Sequence, residues 1–404
     1  MNIANVKTKV ILDYYFGNCL LWLLKPFVSL LNALRRTDHS IEPRGKIVYL
    51  KLLGGGSLVI ALPSLLGLRR RFPHIPLHLV TTSAVAPFAE LLGVFDRIIM
   101  IDDKSFFALI LSSLKAFVRC FGADAVVDLE VYSRLTTVFS LLTCARNRIG
   151  FFLDDFSWRK NFNTHLVYFN RHGPVFHFYE QIVRWIGATS APMADCQRHV
   201  MDRLPAPRAR ENVIHRIAVG HACSNLSYER ILKPRQWLAF FKERVSPDRE
   251  IELMFLGVAS DRAAADSIIQ TLVPHFPCAR FLNLCGELKL KESIAELRTA
   301  DECFGIDSSI MHFARLLGIK SVSFWGPTSP ANLLKPIPGL EEEIFYENIP
   351  CSPCIHVAEI PPCNGNNLCM DKIFDKSISL EDKSSLFSTW SKNNPKDSSA
   401  GGGR

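Results

Sequence analysis

From residue 46 onward the chain alternates between two hydrophobic patterns. Short runs of consecutive apolar residues, closed by polar or glycine turns, predict buried strands; stretches with apolar residues every three or four positions predict helices packed on them. Residues 46–53, 77–81, 97–101, 125–129 and 148–152 read as strands, and 58–72, 84–92, 106–121 and 135–143 as the helices between them. Regular alternation of this kind implies a parallel, doubly wound sheet. Residues 153–185 are aromatic and basic and read as an irregular insertion near a cleft. Residues 202–212, rich in Pro and Arg, read as a linker. The alternation then restarts, with strands at 216–219, 252–256, 282–284, 302–305 and 319–324 and helices at 234–245, 259–272 and 290–298. The pattern predicts two α/β domains of similar size, which suits a length of 404 residues.

The richest segment runs from Phe304 to Gly318. A strand end enters a polar turn, and the turn opens a helix that Asp307, Ser308 or Ser309 is placed to cap. The remaining free N–H groups and the positive end of the helix dipole then suit a phosphate. His312 lies one turn beyond Ser308, on a similar side. The next strand leads to a second polar loop, Gly326-Pro327-Thr328. Two adjacent strand-end loops are where an open α/β sheet holds its ligand. A capped helix with no ligand is the plain alternative. The turn after the first strand, Gly54-Gly55-Gly56-Ser57, is only superficially a dinucleotide fingerprint. It lacks the Gly-x-Gly-x-x-Gly spacing and the later acidic residue, which argues against a dinucleotide oxidoreductase. Glycines here would let a substrate approach the backbone closely.

Composition changes this picture little. A hydrophobic fraction of 48% and a charged fraction of 21% fit large cores. The net charge of +8 favours phosphorylated ligands or an anionic membrane surface, and no nucleic-acid signature accompanies it. Of the 12 cysteines, most of those before residue 350 stand singly in apolar segments, as reduced cytoplasmic thiols do, and no secretory signal opens the chain. Residues 10–34 are rich in Leu, Phe, Tyr and Trp, but Asp13, Asn18, Lys25 and Pro26 interrupt them and Arg35-Arg36 closes them. That helix reads as lying in a membrane interface, or else as packed on the first domain. Arg148, Arg159 and Lys160 hint at a phosphorylated or acidic acceptor, with solvated surface as the alternative. Cys351, Cys354, Cys363 and Cys369 follow a C-x2-C-x8-C-x5-C spacing, which a structural zinc site, free thiols or two disulfides would each satisfy.

Two α/β domains with a phosphate site in the second point to a sugar-nucleotide transferase. The sequence resembles glycosyltransferase family 9, the ADP-heptose:lipopolysaccharide heptosyltransferase-like proteins, over residues 46–375. The resemblance is carried by Gly56-Ser-Leu-Val-Ile-Ala-Leu-Pro-Ser-Leu65, Asp128-Leu-Glu-Val-Tyr-Ser-Arg134, Arg146-Asn-Arg-Ile-Gly-Phe151, and Gly305-Ile-Asp-Ser-Ser-Ile-Met-His312 with Gly326-Pro-Thr328. It implies an α/β fold of the GT-B type, two Rossmann-like doubly wound domains facing each other across a cleft. The expected divisions are an N-terminal amphipathic helix (1–45), an acceptor domain (46–205), a donor domain with a Cys-rich end (213–377), and a C-terminal helix and tail (378–404).

The resemblance also implies roles. Asp307, Ser308, Ser309 and His312 match the family's donor-binding segment, with Ser309 where the family usually has Gly. Gly326, Pro327 and Thr328 match its second donor loop, and Gly220-His221-Ala222 its donor-side turn. Arg230 matches the basic residue that approaches the donor phosphate, with Lys233 a close rival. The family's proposed base, an Asp, falls on Ser57, and a hydroxyl without an activator is no base near neutral pH. The expected base is therefore Glu130, with Asp128 the alternative; Ser57 orients the acceptor hydroxyl or binds a phosphate at a helix N-terminus, Gly55 and Gly56 line the acceptor, and Arg134 holds the carboxylate or an acidic acceptor. An ion pair at i, i+4 is the plain alternative for Glu130 and Arg134. The implied reaction inverts the anomeric centre and requires no cofactor. The expected partners are a nucleotide-diphosphate sugar and a lipid-linked or polysaccharide acceptor, with no nucleic acid, in the cytoplasm at the inner membrane face. Ser57 sustains a second reading, an inactive or altered homologue that binds nucleotide sugar or scaffolds glycan assembly.

Overall fold

The computed structural model describes residues 6–35, 41–153, 158–209, 214–223, 228–355, 363 and 366–375. The expected C-terminal helix and tail lie outside these residues. The N-terminal part runs α1 (Val6–Arg35), β1 (Ile47–Leu50), α2 (Gly55–Arg71), β2 (Leu77–Thr82), α3 (Ala86–Leu92), β3 (Arg97–Ile101), α4 (Phe106–Cys120), β4 (Ala125–Asp128), α5 (Arg134–Leu142), β5 (Asn147–Phe152), β6 (His165–Tyr168), α6 (Val175–Trp185) and α7 (Met193–Met201). The C-terminal part runs β7 (His215–Gly220), α8 (Pro234–Arg244), β8 (Ile251–Phe255), α9 (Arg262–Leu272), β9 (Ala279–Asn283), α10 (Leu290–Leu297), β10 (Glu302–Ile306), α11 (Ser309–Leu317), β11 (Lys320–Trp325), α12 (Pro330–Leu333), β12 (Glu342–Tyr346) and α13 (Leu368–Ile373).

Each part is built on a six-stranded parallel sheet, ordered β3-β2-β1-β4-β5-β6 in the first and β12-β11-β10-β7-β8-β9 in the second. Counted from its own first strand, the second sheet repeats the order of the first. This is the doubly wound α/β arrangement, and its strands are near-continuous apolar runs because both faces are covered. The order reverses between β1 and β4 in one lobe and between β7 and β10 in the other, where Leu50 pairs with Asp128 and Gly220 with Gly305. The carboxyl ends of those four strands are the expected ligand positions. They carry Lys51–Ser57, Glu130, His221 and Asp307.

Two elements were not legible in the hydrophobic pattern. Residues 153–185 are not an irregular insertion: they hold β6, which completes the first sheet beside β5, and α6. The strand escapes a simple reading because it is short and only one of its four residues, Val167, is buried. β12, the edge strand of the second sheet, is likewise half-exposed and acidic at its start.

α1 is long and apolar enough to cross a membrane by length and composition, with a mean hydropathy of 1.3 over Ile11–Leu34. In this structure it lies along α5. Asp13 caps α5 from outside, accepting from Ser133 Oγ and from the backbone N–H groups of Arg134 and Leu135 at 2.6–3.0 Å. Asn18 accepts from Arg134 Nε at 2.8 Å, and Asn32 from Arg148 Nη2 at 2.8 Å. Leu21, Val28 and Leu31 are buried against Val138, Leu141 and Phe162. Two of the residues that interrupt the apolar run, Asp13 and Asn18, thus help bind it to the lobe.

Candidate functional site

The N-terminal half of the site begins where β1 ends. Gly54 sits in the left-handed region at φ 74°, where a side chain would be strained, and serves as N-cap of α2. A Cβ on Gly55 would stand 2.3 Å from the Phe88 ring, and one on Gly56 would stand 3.2 Å from His312 Cδ2 in the other lobe. The glycines therefore let the start of α2 reach Phe88 on one side and the start of α11 on the other.

Glu130, at the end of β4, holds this turn. Its Oε1 accepts from Leu52 N–H at 2.7 Å, Leu53 N–H at 3.0 Å and Lys51 Nζ at 3.2 Å. The i, i+4 ion pair with Arg134 does not form. Tyr179 from α6 is buried beside them, with Ser57 next to its phenol, and burial, reinforced by the Glu130 charge, holds it protonated. Tyr179 and Lys51 were not anticipated. The helical apolar spacing of Phe176, Tyr179, Ile182 and Val183 was the signal available for Tyr179.

Three expected basic contacts have other duties. Arg134, anticipated at the acceptor, is held by Asn18 and lies over the rings of Tyr14 and Trp158 at 4.6 and 4.9 Å. Arg148 and Arg159 are fully buried rather than facing an acidic acceptor. Arg148 donates to the carbonyls of Phe162 and Ala145, and Arg159 to those of Phe151, Glu130 and Ser133. Arg159 also lies 3.4 Å from Asp128, whose carboxyl burial pushes up to about 6 against the pull of that guanidinium. Asp128 accepts from Thr136 Oγ1 at 2.8 Å and from Glu130 N–H at 3.0 Å, so it braces Glu130 from inside the lobe.

The C-terminal half is the turn between β10 and α11. Ser308 is the N-cap by position, in extended backbone, but its side chain caps nothing; the hydroxyl is buried without a partner. Asp307 is buried and accepts from Thr328 Oγ1 at 2.7 Å. Arg230 Nε lies 3.4 Å from the same oxygen, Oδ2, and Arg230 Nη1 donates to the Asp307 carbonyl at 3.4 Å. Lys233, the rival basic residue, instead pairs with Asp371 at 2.9 Å. The Gly326-Pro327-Thr328 loop is packed under α13, since a Cβ on Gly326 would meet Met370 Sδ and Cys369 Sγ. His221 is buried with Nε2 3.2 Å from the Asp261 carbonyl, and burial lowers its pKa.

His312 Nε2 is 3.7 Å from Asp307 Oδ1. Burial, helped by Arg315 and Arg230 and opposed by Asp307, pushes its pKa down to about 4. His312 is thus neutral at pH 7 and offers a hydrogen bond, not a charge. Its folded pKa lies below the ordinary value, so its contribution to stability is full above about pH 6.5 and is lost as pH falls toward 4. Imidazole nitrogen NMR should show His312 unprotonated from pH 8 down to 5.5, changing only near 4; a midpoint near 6.5 would contradict this burial.

The lobes meet along α2 and α11. Phe88 stacks on Phe313 at 6.1 Å between centroids, Gln197 Nε2 donates to the Leu317 carbonyl at 2.7 Å, and Asn332 Nδ2 donates to the Arg171 carbonyl at 3.3 Å. Half-buried Ser57 and Ser309 lie on the two sides of the Gly56–His312 contact.

Among the described residues, no group of three or more His, Cys, Asp or Glu side chains is arranged to hold a metal ion. Burial raises the thiols of Cys354 and Cys369, the latter to about 11, and Cys363 adds to both. Cys351 is half-buried nearby. The four thiols are neighbours without presenting a coordination set, and no catalytic step is assigned to a metal there.

Residues 240–363 match the model of glycosyltransferase family 9 (heptosyltransferase). No curated protein matches the chain. Among solved structures, a family 9 glycosyl transferase from Veillonella parvula superposes with TM-score 0.58 at 16% identity, over 76% of this chain and 87% of its own. E. coli heptosyltransferase WaaC with ADP superposes with TM-score 0.57 at 15% identity, over 74% and 92%. E. coli ADP-heptose lps heptosyltransferase II gives 0.55 at 15%, over 75% and 90%. At such identities these likenesses speak to the fold, which is GT-B. The chain thus has the two-lobed GT-B fold, and its residues 240–363, within the second lobe, are similar to glycosyltransferase family 9.

Proposed function

We propose that the protein transfers a heptose-like sugar from a nucleoside-diphosphate sugar to a lipopolysaccharide or other cell-surface glycan acceptor, with inversion, at the cytoplasmic face of the inner membrane. The observation that carries this is the meeting of two helix starts, one from each lobe: α2 with Ser57 and Glu130 behind it, and α11 with Asp307, Ser308, Ser309 and His312. The E. coli structures named above concern ADP and ADP-heptose, which supports the donor class.

In the proposed reaction the diphosphate lies on the N-terminal end of α11. Its charge grows as the glycosidic bond breaks, and free N–H groups, the Ser308 hydroxyl and Arg230 oppose that charge without reorganising. Asp307 is the anchor of this arrangement, since Thr328, Arg230 and the His312 ring converge on it. On the acceptor side Ser57 orients the attacking hydroxyl and Glu130 takes its proton. Attack from the face opposite the leaving group inverts the anomeric centre.

Titration calorimetry with ADP, UDP, GDP and NAD tests the donor class. A nucleoside diphosphate is expected to bind at least about tenfold more tightly than NAD, a difference of about 1.4 kcal/mol. Preference for NAD would overturn the transferase reading of the site. A bound nucleotide with no turnover on any acceptor would favour the inactive homologue, which Ser57 at the usual Asp position supports.

A further inference from the structure

A cavity of about 670 Å³ lies outside the transfer site, between the second half of α1 and the turn from Trp158 to Phe162. Trp22, Lys25 and Ser29 line it from α1, and Trp158, Lys160 and Asn161 from the turn. Its floor is apolar, formed by Leu21, Val28 and Phe162. No carboxylate lines it, and the single acidic residue of α1, Asp13, is consumed in capping α5. Lys25 and Lys160 are both exposed. Two ammonium groups, amides, a hydroxyl and two indoles around an apolar floor suit an anion carried on an apolar body.

The surroundings say where that body comes from. Beside the cavity, Tyr15, Trp22 and Leu23 of α1 are 71%, 67% and 56% exposed. On the same side of the first sheet, α4 exposes Phe107, Leu111, Leu114 and Val118 together with Lys115 and Arg119, and contains no acidic residue. The sidedness follows from the strand order: α2 and α3 step from β1 toward β3, while α4 and α5 step back toward β5, so right-handed crossovers place the two pairs on opposite faces. α2 faces the other lobe, so α4, α5 and α1 form the outer face. Exposed aromatic and aliphatic residues with only basic charges among them fit an anionic bilayer surface.

We propose that the cavity between α1 and the Trp158–Phe162 turn is a binding site for the phosphate headgroup of a bilayer phospholipid. Lys25 and Lys160 take the phosphate, while Trp22 and Trp158 pack on the glycerol and the first chain carbons. Arg159, next to Lys160, donates to the Glu130 carbonyl at 2.5 Å, so the turn that holds the lipid is covalently continuous with the brace of the acceptor side. This inference rests on the membrane-face reading given above.

The test uses the full chain and a Lys25→Gln/Lys160→Gln variant. Sedimentation with vesicles of phosphatidylcholine, with and without phosphatidylglycerol, is one arm. Calorimetry with short-chain phosphatidylglycerol below its micellar concentration, with glycerol phosphate as control, is the other. The full chain should bind the anionic vesicles at least about tenfold more tightly than the neutral ones, and the variant, having lost two basic residues near the surface at about 1 kcal/mol each, should bind the anionic vesicles about thirtyfold more weakly. The short-chain lipid should bind the full chain saturably, one per chain, and the variant not at all, with both chains melting at the same temperature. Equal binding of glycerol phosphate would make this a simple anion site and overturn the lipid assignment. Short-chain lipid binding unchanged in the variant would overturn the cavity while leaving membrane attachment standing. No sedimentation with either vesicle would overturn the membrane-face reading itself.

Discussion

Glu130→Gln is expected to lower kcat by about 10²-fold or more while leaving the donor KM within about twofold. The substitution is chosen for what it keeps. Oε1 of Glu130 already accepts from the N–H groups of Leu52 and Leu53 and from Lys51 Nζ. A glutamine carbonyl accepts from the same donors, so the turn that presents Gly54 to Ser57 stays in place; the ability to take a proton does not. Steady-state kinetics with a melting curve separates the two roles. A kcat within about tenfold of the parent, with a lowered melting temperature, would make Glu130 a positioning residue for the turn and remove it as base. A companion Ser57→Ala variant removes the hydroxyl beside Tyr179 but no carboxylate chemistry, and its loss should be the smaller of the two. If Ser57→Ala proved the more damaging, the proton would have to leave through the serine and not through Glu130.

The α/β class and the duplicated sheet were legible because parallel strands buried on both faces announce themselves as apolar runs. β3 falls on residues 97–101 as expected, and β1, β4 and β10 lie within a few residues of their expected bounds. What escaped were the sheet margins. β6 and β12 have water on one side, so their residues carry no continuous apolar signal, and the aromatics around β6 imitate a binding loop. The same ambiguity misled the reading of the arginines. Arg148 and Arg159 look like surface charge in a sequence, but each is wholly buried, with backbone carbonyls at neighbouring loop ends accepting from its guanidinium. Arg134 was misplaced for a related reason: its partner Asn18 lies 116 positions away in α1, beyond any local pattern.

The proposed donor side was more legible than the proposed acceptor side. Asp307, Ser308 and His312 sit within one strand-to-helix turn, so their juxtaposition follows from helix geometry alone. The convergence of Thr328 on Asp307 follows from the adjacency of β10 and β11. On the proposed acceptor side Ser57, Glu130 and Tyr179 come from α2, the end of β4 and α6. Only the order of the first sheet brings them together. A sequence pattern carries the strands but not that order, which explains why Tyr179 went unnoticed.

Arg230→Ala should cost about 10²–10³ in kcat, equivalent to about 2.7–4 kcal/mol of leaving-group stabilisation, because the charge it opposes exists fully only once the sugar–phosphate bond is broken. Nucleoside diphosphate, as product, should also bind the variant more weakly than the full chain does. Stability complicates a simple reading. Arg230 neutralises the buried Asp307 carboxylate, and removing one partner of such a pair leaves a charge without compensation. Arg230→Lys resolves the ambiguity. Lysine keeps the positive charge beside Asp307 but loses the planar fork, whose Nε and Nη1 address the carboxylate and carbonyl of Asp307. If Arg230 acts on the diphosphate, Arg230→Lys should melt near the parent temperature yet recover only part of the lost kcat. If Arg230 serves only to hold Asp307, both variants should lose activity in proportion to their loss of stability, and nucleotide affinity measured well below the melting temperature should be unchanged. In that case the charge of the departing diphosphate would fall to the N–H groups of α11 and the Ser308 hydroxyl, and Ser308→Ala would become the more damaging substitution.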